Sequence, residues 1–162
     1  MVSTLEDQMI LEHATVLLAD DDENDVLLMQ RAFQKARLAN PLQIVRNGEQ
    51  AVAYLEGTGC YADREKFPLP CLVLLDLKMP KKNGFDVLQW IRTTPAVHRI
   101  LVVILTSSSE TPDINRGYDL GANSYLVKPP DIDALHEMLR TVQGYWLFLN
   151  QMPELPGEAI TT

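Results

Sequence analysis

The sequence predicts an α/β fold, with five parallel strands in one sheet and helices covering both of its faces. Three observations predict it. Short apolar runs alternate five times with helical patterns along the chain. The first, third and fourth runs carry no alternating polar residues, as central strands buried on both faces require. Acidic and hydroxyl residues gather directly after those runs, at strand carboxyl ends, where open parallel sheets place their sites.

The elements follow in order. Thr15 to Ala19 (TVLLA) is the first strand, and it ends in Asp20, Asp21 and Asp22. Val26, Leu27, Met29, Ala32, Phe33 and Ala36 then give a helix a broad apolar face, with Asn24 or Asp22 at its start. Asn40-Pro41 breaks that helix before the second strand, Leu42 to Val45. Asn47-Gly48 turns the chain into a short helix carrying Ala51, Val52, Tyr54 and Leu55. Residues 57–70 read as a Gly- and Pro-rich loop. The third strand, Cys71 to Leu75, ends in Asp76, and Gly84 to Thr93 is the next helix. Ile100 to Leu105 is the fourth strand, followed by Thr106 and three serines. Thr111 caps a short helix with Pro112 in its first position. Tyr125 to Val127 is the fifth strand, and the last helix runs from near Asp131 to about Asn150. Residues 1–13 and 151–162 read as tails around one domain, 14–150, with Met152 to Thr162 extended or disordered.

Composition narrows the function. A formal net charge of -8 argues against a nucleic-acid partner, which is itself a polyanion. No apolar run approaches the roughly 18 residues of a membrane span, and the acidic start of the chain is not a signal peptide, so a cytoplasmic location is expected. Cys60 and Cys71 are expected to be reduced there. His13, His98 and His136 lack any spacing suited to a metal.

The residues after the strands form a coherent chemical set: Asp20, Asp21, Asp22, Asp76, Thr106, Ser107 and Lys128. One pair of like charges about 4 Å apart costs about 4 kcal/mol at an effective dielectric near 20. Several carboxylates in one cleft therefore call for a cation. Mg2+ suits oxygen ligands and shares its shell with phosphate, with Mn2+ or Ca2+ as substitutes. Asp76 is the candidate nucleophile for an aspartyl-phosphate, and Lys128, Thr106 and Ser107 are candidate contacts to phosphoryl oxygens. Asp22 reads as a helix-start residue instead of a ligand.

VLLADDD, VLLDLKMPKKNG, VVILTSS and YLVKP, in that order and each at the end of an apolar strand, resemble the four signature segments of two-component receiver domains. The resemblance implies a flavodoxin-like, CheY-like fold with strand order 2-1-3-4-5. It implies that a histidine kinase phosphorylates Asp76, that Asp20, Asp21, Asp76 and the Lys78 carbonyl hold the metal, and that Thr106 and Tyr125 form a switch read out through protein contacts. It also implies a cis peptide before Pro129. The long loop before the third strand and the segment GYWLFLNQMPELPG are similar to the small response regulators of cyanobacterial phytochromes. That similarity implies a phytochrome-type kinase, no output domain, and a homodimer through the last strand and helix region. Such a protein is a signalling switch that assists its own phosphorylation and dephosphorylation, not a turnover enzyme.

Several readings stay open on the residues alone. Tyr125 is a switch or a static core-edge ring, and Lys78, Lys81 and Lys82 are solvated charges or instead tune dephosphorylation or meet the kinase. Tyr145, Trp146, Leu147, Phe148 and Leu149 go all the way round a helix at 100° per residue, so one core cannot bury them all. Either the tail folds back over them, or a partner covers Tyr145, Trp146 and Phe148. Two rival functions are a constitutive interaction module that is never phosphorylated and a phosphohydrolase acting on a diffusible substrate.

Overall fold

A computed structural model describes residues 14–156. One sheet holds β1 (Val16–Ala19), β2 (Leu42–Val45), β3 (Leu72–Leu75), β4 (Leu101–Thr106) and β5 (Ser124–Val127), all parallel, in the order β2-β1-β3-β4-β5. The helices are α1 (Glu23–Lys35), α2 (Gly48–Glu56), α3 (Gly84–Thr93), α4 (Thr111–Asp119) and α5 (Ile132–Val142). The architecture and order are those expected from the sequence. The N-terminal tail expected at 1–13, and His13 with it, lies outside the described residues.

Strand pleating divides the core in two. Leu17, Ala19, Val73, Leu75, Val102 and Ile104 face α2 and α3. Val16, Leu18, Leu72, Leu74, Val103 and Leu105 face the other way, toward α1 and α5. Every residue of β1, β3 and β4 is buried, which is why their sequences show no polar alternation. Each buried aliphatic side chain contributes about 1.5–3 kcal/mol of transfer free energy.

Side-chain caps fix where helices begin. Asp22 accepts from the N–H groups of Asn24 and Asp25, so it caps α1 as its helix-start reading required. Asn83 and Asp86 form a reciprocal capping box on α3. Asp131 caps α5. In α4 the sequence placed Thr111 as the cap. The helix instead starts on Thr111 with Glu110 before it, and Pro112 sits within the first turn, where its missing N–H costs nothing.

The loop at 57–70 is more ordered than its composition suggests. Gly57 ends α2 with φ at +71°, a conformation that favours glycine. A 3-10 turn follows over Gly59–Tyr61. Arg64 donates to the carbonyls of Tyr54 and Leu55 at the end of α2 (2.8 Å each) and to that of Phe67 (3.2 Å). Tyr54, Tyr61 and Phe67 pack their rings together, and the Tyr54 hydroxyl donates to the Pro68 carbonyl at 2.8 Å. Cys60 is exposed, whereas Cys71 is half-buried against the α1–α5 side of the core, and the two are not bonded to each other.

The last helix has the expected extent but changes type part-way. Leu135, Leu139 and Val142 pack on the core at helical spacing, but α5 ends at Val142 and widens into a π-helical turn, Gln143–Leu149. That turn buries Leu147 and leaves Tyr145, Phe148 and Leu149 exposed, with Trp146 half-buried. The chain then folds back. Met152 packs on the α1–α5 side of the core, and Leu155, 5% exposed, packs on the α2–α3 side with Val97 and Ile100. Arg99 donates to the Glu154 carbonyl at 3.1 Å. The segment, which the sequence left as extended, disordered or folded back, is thus extended and packed as far as Leu155, and it joins the two half-cores.

Candidate functional site

The register of the sheet brings the candidate residues together. Ala19 pairs with Leu75 and Thr106 with Val127, so the chain leaves β1, β3 and β5 along one edge. Hydrogen bonds continue past the strand ends. The Asp20 N–H donates to Val45 (3.1 Å), that of Asp76 to Ala19 (3.0 Å), and that of Lys128 to Thr106 (2.7 Å). The backbones of the two acids and the lysine are therefore held as firmly as strand residues.

Lys128 organises the side chains. Its ammonium donates to Asp20 Oδ2 at 2.7 Å, to Asp76 Oδ2 at 3.0 Å and to Asp25 Oδ2 at 3.0 Å. Asp20 is wholly buried and Asp76 nearly so. Burial pushes the Asp20 carboxyl above the usual carboxylate range, and the Lys128 contact offsets this only in part. Lys128 itself feels the opposite pulls. Burial lowers its affinity for the proton, but Asp20, Asp76 and Asp25 more than reverse this and hold it above the ordinary lysine value. At neutral pH the ammonium is a fixed positive charge among carboxylates.

The turn after Asp76 is clamped by the start of α3. A Cβ built on Gly84 would lie 2.3 Å from the Asp76 carbonyl oxygen and 2.8 Å from Leu77 Cα, so only glycine permits this approach. The Gly84 N–H donates to the Leu77 carbonyl at 3.0 Å. Lys81 in the same turn sits at φ +68°, an unfavourable conformation for a side chain, two residues before the capping box of α3.

At the end of β4, Thr106 is fully buried and its Oγ1 has no hydrogen-bond partner among the described residues. Ser107 is exposed. It is Ser108 that turns inward, its hydroxyl donating to Asp113 Oδ2 at 2.6 Å. The Tyr125 hydroxyl donates to the Ser108 carbonyl at 2.9 Å, and burial raises that phenol above its ordinary value. Tyr125, half-buried, therefore ties β5 to the β4–α4 loop.

Not every expected residue joins the cluster. Asp21 and the Lys78 side chain, whose carbonyl was the expected ligand, are exposed, and the Lys78 N–H makes a long contact to Asp76 Oδ1, 3.4 Å. The sequence reasoning missed Asp25. The one signal for it was its place in the first turn of a helix that starts beside the strand ends. The expected cis peptide before Pro129 is overturned: among the described residues no peptide is cis. Trans is the lower-energy X–Pro isomer by about 0.5–1 kcal/mol, and the Lys128 N–H to Thr106 bond is made without the cis form.

The donor set suits a hard divalent cation. One carboxylate oxygen each from Asp20, Asp25 and Asp76 lies within 4.8 Å of the others, and Lys128 brings a single positive charge to three negative ones. Among the described residues no helix is long and apolar enough to cross a membrane.

Comparison with known proteins accords with this geometry. The family model described as response regulator receiver domain matches residues 16–140. Response regulator Rcp1 of Synechocystis sp. is 36% identical over 138 residues, covering 85% of this chain and 92% of that protein. The phosphorylated cyanobacterial phytochrome response regulator RcpA superposes with a TM-score of 0.80 at 34% identity, covering 88% of this chain and 99% of that one. Response regulator RPA3017, in red light signaling of R. palustris, superposes at 0.83 with 35% identity, covering 87% and 99%. The Mn2+-bound form of Rcp1 superposes at 0.77 with 35% identity, covering 87% and 99%. The chain, a CheY-like α/β domain, belongs to the response regulator receiver domain family.

Proposed function

We propose that this receiver domain takes a phosphoryl group from the phosphohistidine of a sensor histidine kinase onto Asp76 and signals through the resulting change of shape. The observation that carries the reading is the sharing of one buried ammonium, Lys128, between Asp76 and two further carboxylates at the strand ends. An Asp76 oxygen attacks phosphorus, a P–O bond forms, and the P–N bond to the kinase histidine breaks with its electron pair going to nitrogen. Lys128 stays within reach of a phosphoryl oxygen. The unpartnered Thr106 hydroxyl donates to another, with Ser107 at the rim. Asp20, Asp21, Asp76 and the Lys78 carbonyl would hold Mg2+, which supplies the positive charge that phosphoryl transfer needs.

The conformational signal runs through Thr106 and Tyr125 to β5 and α5. Tyr125 is already bonded to the loop that follows Thr106, so movement of that loop must move the ring. The kinase is of the phytochrome type, on the likeness to RcpA and RPA3017. The exposed Tyr145 and Phe148, with Trp146 beside them, supply apolar surface for a homodimer. The domain acts in the cytoplasm as a switch that aids its own phosphorylation and dephosphorylation, and its downstream target is another protein.

The test is labelling with acetyl phosphate and Mg2+, read by intact mass alongside light scattering on a sizing column. The wild type gains one labile phosphoryl group and Asp76→Asn gains none. Equal labelling of both proteins, or of neither, overturns the assignment of Asp76.

A further inference from the structure

We infer that Asp25 is a positioning residue that holds Lys128 back from the phosphoryl site, so that it sets how tightly the domain binds a phosphoryl group. The inference rests on the receiver reading of Asp76. An ammonium has three N–H donors, and all three of Lys128 are taken, by Asp20, Asp76 and Asp25. A phosphoryl oxygen next to Asp76 can gain a Lys128 donor only if one of those bonds gives way.

The four groups differ in how easily they let go. The side chains of Lys128, Asp20 and Asp76 are 11%, 0% and 10% exposed, whereas that of Asp25 is 38% exposed. Water can replace the ammonium at Asp25 at little cost, but it cannot reach Asp20. Asp25 is also held from behind. Its N–H donates to the Asp22 cap at 3.1 Å, which fixes the first turn of α1 against the strand ends. Asp76 itself carries the phosphoryl group and Asp20 stays out of reach of water, so of the two carboxylates left to compete for Lys128 the exposed Asp25 is the one that lets go, and its loss counts against the phosphorylated state. Removing the charge of Asp25 removes a contact present only before phosphorylation.

Calorimetric titration of the whole chain with beryllofluoride tests this, with Mg2+ saturating each variant as set by a prior titration of Mg2+ alone. Asp25→Asn binds the mimic about threefold tighter than wild type, the size expected for one partly exposed ion pair. Asp25→Glu, which keeps the charge, returns to the wild-type affinity. A merely structural role for Asp25 would leave the affinity unchanged or weaken it. Unchanged or weaker binding by Asp25→Asn, or tighter binding by Asp25→Glu as well, overturns the inference while the receiver reading stands. Failure of the wild type to bind the mimic overturns both.

Discussion

The packed tail makes a sharp prediction about Leu155. Its side chain is 5% exposed and lies among Val97, Ile100 and their neighbours on the α2–α3 side of the core. Truncating a buried leucine to alanine costs about 2–5 kcal/mol, the lower end applying where the surroundings can close over the gap. Leu155 lies near the end of the described chain, and Pro153 and Glu154 before it are exposed, so the segment can relax. Leu155→Ala should cost about 2 kcal/mol. In a domain of this size that lowers Tm by about 4–8 °C. Urea unfolding followed by circular dichroism measures it, with Leu149→Ala as the control. Leu149 is 75% exposed, and its truncation should stay within about 0.5 kcal/mol. If Leu155→Ala costs no more than Leu149→Ala, the tail does not pack on the α2–α3 side and does not join the half-cores.

Two further predictions concern the turn after Asp76 and the ordered loop. Gly84→Ala should destabilise by about 1–3 kcal/mol, because its Cβ would meet the Asp76 carbonyl at 2.3 Å and backbone cannot yield as a side chain can. Helix propensity alone gives the opposite sign, about 1 kcal/mol of stabilisation, so urea unfolding decides between them. Burial pushes the Tyr54 phenol from 10.0 up to about 12, with Arg64 offsetting only part. A folded-state value above the unfolded one means stability is fully present below pH 10 and is lost as pH rises toward 12. The loss attributable to this group is about 2–3 kcal/mol. Tyr54→Phe should flatten stability over that window, and an unchanged slope would show that Tyr54 is not the group responsible.

The sequence made the sheet legible because three of its strands are buried on both faces and so read as unbroken apolar runs. Asp20, Asp76, Thr106 and Lys128 were legible for the same reason, since each stands at the end of such a run. Where the strand pattern stops, the reading loses its footing. Ser107 and Ser108 differ only in which way the loop turns after Thr106, and that turn is set by Asp113 and Tyr125, from α4 and β5. Asp25 belongs to α1, and its contact appears only when Lys128, just past the end of β5, reaches the first turn of α1. Leu155 lies between prolines in a segment without periodicity, and its burial depends on a surface built from Val97 and Ile100. The π-helical turn left no mark on the sequence beyond five apolar residues in a row.

The buried hydroxyl of Thr106 meets no hydrogen-bond partner among the described residues. A buried polar group left without a partner costs about 1–3 kcal/mol, and among the described residues none meets the Thr106 hydroxyl. Any acceptor that reaches Oγ1 recovers it, which is a factor of about 5 to 150 in an equilibrium between two shapes. A ligand oxygen beside Asp76 that reached this hydroxyl would draw part of its hold from a buried donor that no other described residue engages.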